Sequence, residues 1–188
     1  MRTIAPLSAL LFAALLVSTG CTELNTEIEI TGSLVAGECG EILPWSPPFA
    51  TWTDTGEADA MLRIQSLPGP SSSAEDTIVF IINDKAALAD AVETPIVVGD
   101  REYGGAQASG HVTLPVRCPD QKSLAIQLFG ELQFEDVSGK HGQRIVGAFI
   151  GQALNPRDEE VLGESVTIRF DFPHRFQTPW QSYPTRRN

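Results

Sequence analysis

The sequence predicts an all-β fold, an antiparallel β-sandwich or flattened barrel of about seven or eight strands. Two observations favour this class: apolar and polar residues alternate with a period of two, and clusters of turn-forming residues separate the alternating runs. In residues 27–35, for example, Ile28, Ile30 and Leu34 fall on one face and charged residues on the other. Similar apolar runs cover residues 60–65, 78–82, 112–116, 124–134, 145–150 and 166–172.

One of these runs is followed by a change of pattern. Residues 78–82 are apolar at every position, which predicts a central strand that is covered on both faces. Asn83 and Asp84 come next, and their side chains favour the start of a helix in the alanine-rich stretch that follows. We therefore expect one short helix near residues 84–92.

Glycines inside the later strands predict curvature. Gly130, Gly147 and Gly151 lie within apolar runs, where glycine weakens a strand unless a backbone or a large ring must pack closely. We expect bulges or sheet curvature at these positions. Three phenylalanines are available to lie over the glycines: Phe129, Phe149 and Phe170.

The first twenty residues have the layout of an export signal. Arg2 gives a positive start, residues 7–17 form an apolar stretch that only Ser8 interrupts, and small residues follow at 18–20. The apolar stretch is too short to cross a bilayer, which requires about 20 apolar residues. We therefore expect residues 1–20 to be a signal peptide.

Residues 17–21, Val-Ser-Thr-Gly-Cys, resemble the lipobox of bacterial lipoproteins. The small residue before the cysteine is present, whereas Ser18 stands where the family usually has leucine. The resemblance implies cleavage before Cys21 and acylation of that cysteine, so that the N-terminal lipid makes the membrane a partner. Thr22 replaces the aspartate that favours inner-membrane retention in such lipoproteins, which implies the outer membrane, on its periplasmic or surface face. An ordinary secretory signal that is cut within residues 18–21 is the alternative.

Lipidation of Cys21 would determine the domain boundaries and the pairing of the other two cysteines. Residues 21–26 would be a lipidated tether and residues 27–188 a single β-rich domain. Of the three cysteines, Cys39 and Cys118 would remain as an even pair in an oxidising compartment. We expect a disulfide between them, which would stabilise the fold by about 4–5 kcal/mol on the chain-entropy model. Two unpaired thiols are the alternative.

The acidic composition argues against nucleic acid as a partner. The chain contains 24 acidic and 13 basic side chains, and cleavage after residue 20 would remove one arginine, leaving a net charge of about −12. Phosphate recognition requires a basic footprint, so no nucleic-acid binding is expected. An acidic surface aids solubility but does not define a site.

Catalytic and cofactor motifs are not recognisable in the sequence. There is no GxSxG pentapeptide that would present a nucleophilic serine, and no HExxH or CxxC spacing that would hold zinc. The sequence therefore predicts no catalytic residue, no metal site and no cofactor. The acidic residues at 54–59 offer oxygen ligands for calcium, but they lack EF-hand spacing, and a hydrated acidic loop is the simpler interpretation.

Glu131 and Glu135 are the carboxylate pair that most suggests chemistry. With Gln133 they fall on one face of a predicted strand, in a pattern similar to a strand motif of some β-sandwich glycosidases, although the middle position is an amide here. Four residues of regular strand span about 13 Å, whereas a retaining pair needs about 5.5 Å and an inverting pair about 6.5–9.5 Å. Only a bulge or strong twist would bring them together, so a solvated outer face is the alternative.

Residues 43–52 form the most distinctive segment, because Trp45, Phe49 and Trp52 lie on a proline-stiffened stretch. Exposed rings there would make a preformed platform for a sugar ring or a partner's side chain. The alternative is that the rings close one end of the domain, with Cys39 holding the segment nearby.

These features predict a non-catalytic binding or structural module of the cell envelope, whose partner would be an envelope protein or a glycan. An envelope carbohydrate-active hydrolase that uses the glutamate pair is the alternative from a different class.

Overall fold

The computed structural model describes residues 26–34, 39–54, 59–66, 75–100, 105–119, 126–137, 142–155 and 161–174. The predicted signal peptide, the lipidation site Cys21 and most of the tether lie outside the described residues.

The described residues form nine β-strands and one short helix. In chain order these are β1 (Glu27–Gly32), β2 (Phe49–Thr53), β3 (Ala60–Gln65), β4 (Thr77–Ile82), α1 (Lys85–Ala89), β5 (Ile96–Val98), β6 (Ala108–Thr113), β7 (Ile126–Val137), β8 (Arg144–Leu154) and β9 (Val161–Pro173).

All of these strands belong to one mixed sheet in the order β1-β9-β8-β7-β5-β6-β4-β3-β2. The sheet curves until its two end strands approach each other, so that it is nearly a closed barrel. The predicted all-β class and the single short helix are confirmed. The strand number is nine rather than seven or eight, and the continuous sheet is closer to the flattened barrel than to two stacked sheets.

Strand β5 gives the sheet its mixed character. It enters between β6 and β7, pairing antiparallel with β7 and parallel with β6 through Val98 and Ala108. β6 and β7 also pair directly, through Val112 and Ile126 among others. A strand of three residues shows no readable alternation, which is why the sequence did not predict it.

The inner face of the sheet packs around aromatic rings. The ring centroids of Phe80 and Phe149 lie 5.2 Å apart, and that of Phe134 lies 5.6 Å from Trp52 and 5.8 Å from Phe170. Tilted and edge-on pairs at these distances are the favourable arrangement of aromatic side chains. The core therefore joins residues from β2, β4, β7, β8 and β9.

Burial follows the predicted alternation in β1, whose isoleucines are buried and whose glutamates are exposed. The prediction for residues 78–82 is only partly right. β4 does lie inside the sheet, between β3 and β6, but Val79 and Ile81 are only half-buried. The strand is thus fully covered on its inner face alone.

Helix α1 begins as the sequence predicts. The side chain of Asp84 caps it, because one carboxylate oxygen accepts hydrogen bonds from the N–H groups of Ala86 at 2.9 Å and Ala87 at 3.1 Å. Leu88 is the residue of this helix that is buried against the core. The helix ends at Ala89 and is therefore shorter than expected.

Glycines of β8 permit close packing, as the sequence predicts. A Cβ atom at Gly147 would lie 2.9 Å from Cζ of Phe170 and would also meet a backbone carbonyl oxygen of β7. A Cβ atom at Gly151 would lie 2.5 Å from Cζ of Phe149. The pairing of β8 with β9 shifts register beside Gly151, which is the expected irregularity.

We expect Gly147→Ala to lower the free energy of unfolding by about 1–3 kcal/mol, the usual cost of extra atoms in a packed core. The added methyl group would meet a backbone carbonyl, which cannot turn aside as a side chain can. Gly99→Ala is the matched control, because its Cβ would meet only side chains, the nearest at 3.3 Å. Chemical denaturation measures both variants, and equal losses would contradict the tight packing at Gly147.

Candidate functional site

A short antiparallel contact with residues 39–45 lies at the outer edge of β1. The N–H of Ile30 donates to the carbonyl of Trp45 at 2.8 Å, and the N–H of Trp45 donates back to Ile30 at 3.0 Å. The N–H of Ile42 also donates to the carbonyl of Leu34 at 2.8 Å. Since this segment leads directly into β2, it brings the two ends of the sheet together.

The pairing stops after Trp45, and a groove opens there. Pro47 and Pro48 have no N–H to donate, so they cannot continue the ladder along β1. A groove of about 670 Å³ lies between this turn and strands β1, β9 and β8. Its apolar lining includes both prolines together with Ile28 and Val146.

One stretch of the β1 edge faces this groove without a strand partner. Ile30 and Leu34 direct their backbone groups to the 39–45 segment, whereas the N–H of Ser33 donates to the carbonyl of Ser165 on the β9 side. Backbone groups of an antiparallel strand alternate between its two edges. Ile28 therefore directs its N–H and C=O toward the groove, where no backbone group of the described residues pairs with them.

The charged residues that line the groove are predominantly acidic. Asp171 pairs with the guanidinium of Arg144, and Glu29 lies 3.9 Å from an arginine of β9 in an exposed pair of the kind that contributes little. The other two carboxylates, Glu27 and Glu135, form no ion pair with a basic side chain in the part of the chain that the structure describes. The groove thus combines apolar walls with unneutralised negative charge.

The tryptophans that the sequence offered as a platform are core residues. Trp45 and Trp52 are each only 5% exposed, and Phe49 is half-buried at the start of β2. A ring that stacks on a sugar must present a face to solvent, and neither tryptophan does so. Both tryptophans belong to the buried hydrophobic cluster, against which Cys39 also packs.

An ion pair between the exposed Arg117 and the buried Asp76 lies against Trp45. The guanidinium carbon of Arg117 lies 5.1 Å from the centre of the Trp45 ring, and its Nε lies 3.4 Å from Oδ2 of Asp76. The Asp76 side chain is 2% exposed, and its Oδ1 accepts hydrogen bonds from the N–H groups of Val116 and Arg117. A buried carboxylate requires donors of this kind, so the cluster fixes the turn before Cys118 against the start of β4.

That turn brings Cys118 to disulfide distance from Cys39. Their Cα atoms lie 5.5 Å apart, within the range that disulfides occupy. Cys118 is 1% exposed. Cys39 and Cys118 therefore lie close together, which the number of cysteines alone could not establish.

Glu131 and Glu135 occupy different surroundings. Glu131 is exposed on the outer face of the sheet, between Val97 and Ile150, which are themselves 45% and 62% exposed. Glu135 lies at a shift of register between β7 and β8 and lines the groove. The bulge that close approach requires is thus present, but only one of the two carboxylates reaches the groove.

The side chain of Gln133 explains why this position carries an amide. Its Nε2 donates to the carbonyl oxygens of Ala91 at 3.1 Å and Val92 at 2.9 Å, just beyond helix α1. An ionised carboxylate has no hydrogen to donate. The amide therefore joins β7 to the end of the helix, and the role of Gln133 is structural.

We expect Gln133→Glu to lower the free energy of unfolding by about 1–3 kcal/mol near neutral pH, because a carboxylate would face two carbonyl oxygens. The loss should shrink near pH 4, where a protonated carboxyl group can donate. Gln152→Glu on the exposed face of β8 is the matched control. Denaturation curves at both pH values check this, and an equal effect of the two substitutions would count against the proposed bonds.

His111 couples the protonation of the domain to its folding. It lies on β6, opposite Val79 and Gln127 of the neighbouring strands. Burial lowers the pKa of His111 below its ordinary value of 6.5, and the carboxylate of Asp100 opposes this shift with a smaller effect. The unfolded chain therefore binds a proton more readily at this position than the folded domain does.

The consequence is that protonation of His111 destabilises the folded domain in acid. As the pH falls below 6.5, protonation of His111 favours the unfolded chain, whereas above this value the residue has no such effect. We expect His111→Gln to remove this loss, so that its stability relative to the unsubstituted chain rises between about pH 7 and pH 5. Denaturation at a series of pH values tests this, and a constant difference would refute it.

Neither a metal site nor a membrane-spanning helix is seen in the part of the chain that the structure describes. No three side chains of His, Cys, Asp or Glu come close enough there to hold a metal ion. Of the acidic stretch at 54–59, Asp54 pairs with Lys85, and residues 55–58 lie outside the described ranges. No described helix has the length and apolar character needed to cross a bilayer.

Comparisons of the chain with protein-family models, curated proteins and solved structures found no match. The groove and the cysteine pair are therefore the features of the molecule that point to a function. Sequence reasoning did not find the groove, because its lining comes from β1, β7, β8, β9 and the proline turn. The consecutive prolines at 47 and 48 were its one local signal.

Proposed function

We propose that this protein is an exported lipoprotein, anchored through Cys21, whose β-domain is a non-catalytic binding module of the cell envelope. The groove beside β1 is its binding site, and an envelope protein or a glycan is its partner. The observation that carries the proposal is the proximity of Cys39 and Cys118, which leaves Cys21 as the unmatched cysteine.

The cysteine pair supports an oxidising destination. A pair whose Cα atoms are 5.5 Å apart forms a disulfide readily where no cytosolic reductant is present. The bond would join the segment that borders the β1 edge to the turn that carries Arg117. It would thereby fix one wall of the groove, which reduces the entropy lost when a ligand binds.

The short tether supports a role close to the membrane. Strand β1 begins at Glu27, so only a few residues separate the fold from Cys21. An extended chain covers at most about 3.6 Å per residue, which keeps the groove within roughly 20 Å of the acylated cysteine. Ligands on neighbouring envelope components are therefore within reach of a groove that is itself anchored.

The lining of the groove supports binding rather than catalysis. It presents apolar walls and carboxylates, and Glu131 of the candidate acid–base pair is not among the described residues that line it. General acid–base cleavage of a glycoside needs two carboxyl groups on opposite sides of the bond. Apolar contact and charge are sufficient for recognition.

Substitution of Cys21 tests the proposal. We expect the full chain, expressed in a bacterial host, to appear in the membrane fraction with an acylated Cys21 as its first residue. The Cys21→Ala variant should lose both the acyl mass and the membrane association. The matched control is the Cys39→Ala, Cys118→Ala double variant, which should stay acylated and membrane-bound.

Intact-mass measurement of the same preparations after alkylation shows whether Cys39 and Cys118 are free thiols or a disulfide. In the acylated chain, Cys39 and Cys118 should resist alkylation until a reductant is added. A chain that still begins at Met1, or that carries a free thiol at Cys21, would refute the proposal.

A further inference from the structure

We propose that the groove binds an extended peptide segment of a partner protein, which carries basic side chains and adds a strand to the unpaired stretch of the β1 edge. The proposal rests on the proposed function, which assigns the groove as the binding site. Of the two classes of partner given there, it selects a protein over a glycan and specifies the chemistry of the segment that binds.

The backbone of Ile28 offers a donor and an acceptor in the orientation that an added strand requires. Its N–H and C=O point toward the groove, and no backbone group of the described residues pairs with them. An extended peptide that lies along such an edge forms main-chain hydrogen bonds with it. A sugar has hydroxyl groups but lacks the regular repeat of N–H and C=O groups. The unpaired backbone therefore favours a peptide.

Contacts of the neighbouring segment limit the length of the added strand. Further along β1 the edge is already occupied, because Ile30 exchanges both of its backbone hydrogen bonds with Trp45. Pro47 and Pro48 line the groove and have no N–H to donate to Ile28. The unpaired stretch is thus short, and a partner segment at the lower end of the usual range of strand lengths, about three to five residues, would cover it.

The charge of the lining favours basic side chains on the partner. The described lining contains four carboxylates and one guanidinium: Glu27, Glu29, Glu135, Asp171 and Arg169. Glu27 lies directly opposite Asp171 on β9, a position in which like charges repel each other. Asp171 is paired with Arg144, whereas Glu27 has no ion-pair partner among the described residues. A basic side chain beside Glu27 would be attracted there, and it would steer the segment into the groove.

The alternation of β1 determines which positions of the partner are basic. Residues that lie opposite each other on neighbouring strands direct their side chains to the same face of the sheet. Ile28 is buried, whereas Glu27 and Glu29 are exposed. Partner residues opposite the glutamates would therefore face solvent, and the residue opposite Ile28 would face inward. We expect the partner segment to alternate basic and apolar residues.

Hydrogen exchange of single amides in the full chain, held in detergent, tests strand addition directly. The probe is a synthetic peptide, Lys-Val-Lys-Val-Lys with both ends blocked, added in large excess. The Ile28 amide should then exchange at least tenfold more slowly than in the chain without peptide. The Ile30 amide is the internal reference, because it donates to Trp45 in either case. A peptide with Glu in place of Lys and a chitin tetrasaccharide should leave exchange at Ile28 unchanged.

Removal of the negative charge provides a second test. The Glu27→Gln, Glu135→Gln variant should bind the basic peptide at least fivefold more weakly at low ionic strength, and the difference should shrink as salt screens the charges. The matched control is the Glu131→Gln, Glu164→Gln variant, which removes the same charge from exposed positions outside the groove. This control should bind as tightly as the unsubstituted chain. Titration calorimetry measures all three affinities.

Any of four results would overturn the inference. The first is an Ile28 amide that the basic peptide does not slow, or that is as protected as Ile30 before peptide is added. The second is protection by the acidic peptide or the tetrasaccharide, and the third is equal weakening of binding in the two double variants. The fourth is protection that rises with protein concentration alone, which would make a second copy the occupant.

None of these outcomes depends on acylation of Cys21. A chain that is acylated and membrane-bound but gives one of them would keep the anchored module and lose the basic peptide as its partner. Failure here is therefore distinct from failure of the membrane fractionation.

Discussion

The two backbone hydrogen bonds between Ile30 and Trp45 determine how nearly the sheet closes. They hold the segment before β2 against β1, which is the far end of the same nine-stranded sheet. Without them the sheet would have two separate edges and an open interior. With them, the sheet curves around the core that contains Trp52 and Phe134.

Several weaker interactions act together to keep Trp45 in that position. Arg117 lies between the Trp45 ring and Asp76, and the carboxylate of Asp76 is otherwise bonded to backbone N–H groups of the same turn. An ion pair in which only the carboxylate is buried does not by itself guarantee stability, because desolvation of Asp76 offsets the attraction. Their effect is geometric, since a carboxylate with fixed donors permits one arrangement of the turn. Cys39 and Cys118 span the same region.

The sequence predicted the parts of this fold that depend on neighbouring residues. Burial of alternate residues in β1 and the cap at Asp84 follow from patterns a few positions long, and both are present. β5 is too short to show a pattern, and β2 was hidden in a segment whose rings and prolines suggested a loop. The groove could not be predicted, because Glu135 and Asp171 meet there only through strand order and a register shift.

The two prolines after Trp45 determine how much of the β1 edge stays unpaired. A closed barrel has no edge and therefore cannot accept a strand, whereas an open sheet has an edge along its whole length. Pro47 and Pro48 produce an intermediate arrangement, because they end the ladder after Ile30 has been paired and before Ile28 is reached. The pairing between Ile30 and Trp45 holds the two ends of the sheet together, and the interruption leaves a short stretch of β1 backbone unpaired among the described residues, which is where we propose that a partner binds. The candidate site is thus defined by the unpaired backbone of Ile28 in β1, and not by any single reactive side chain.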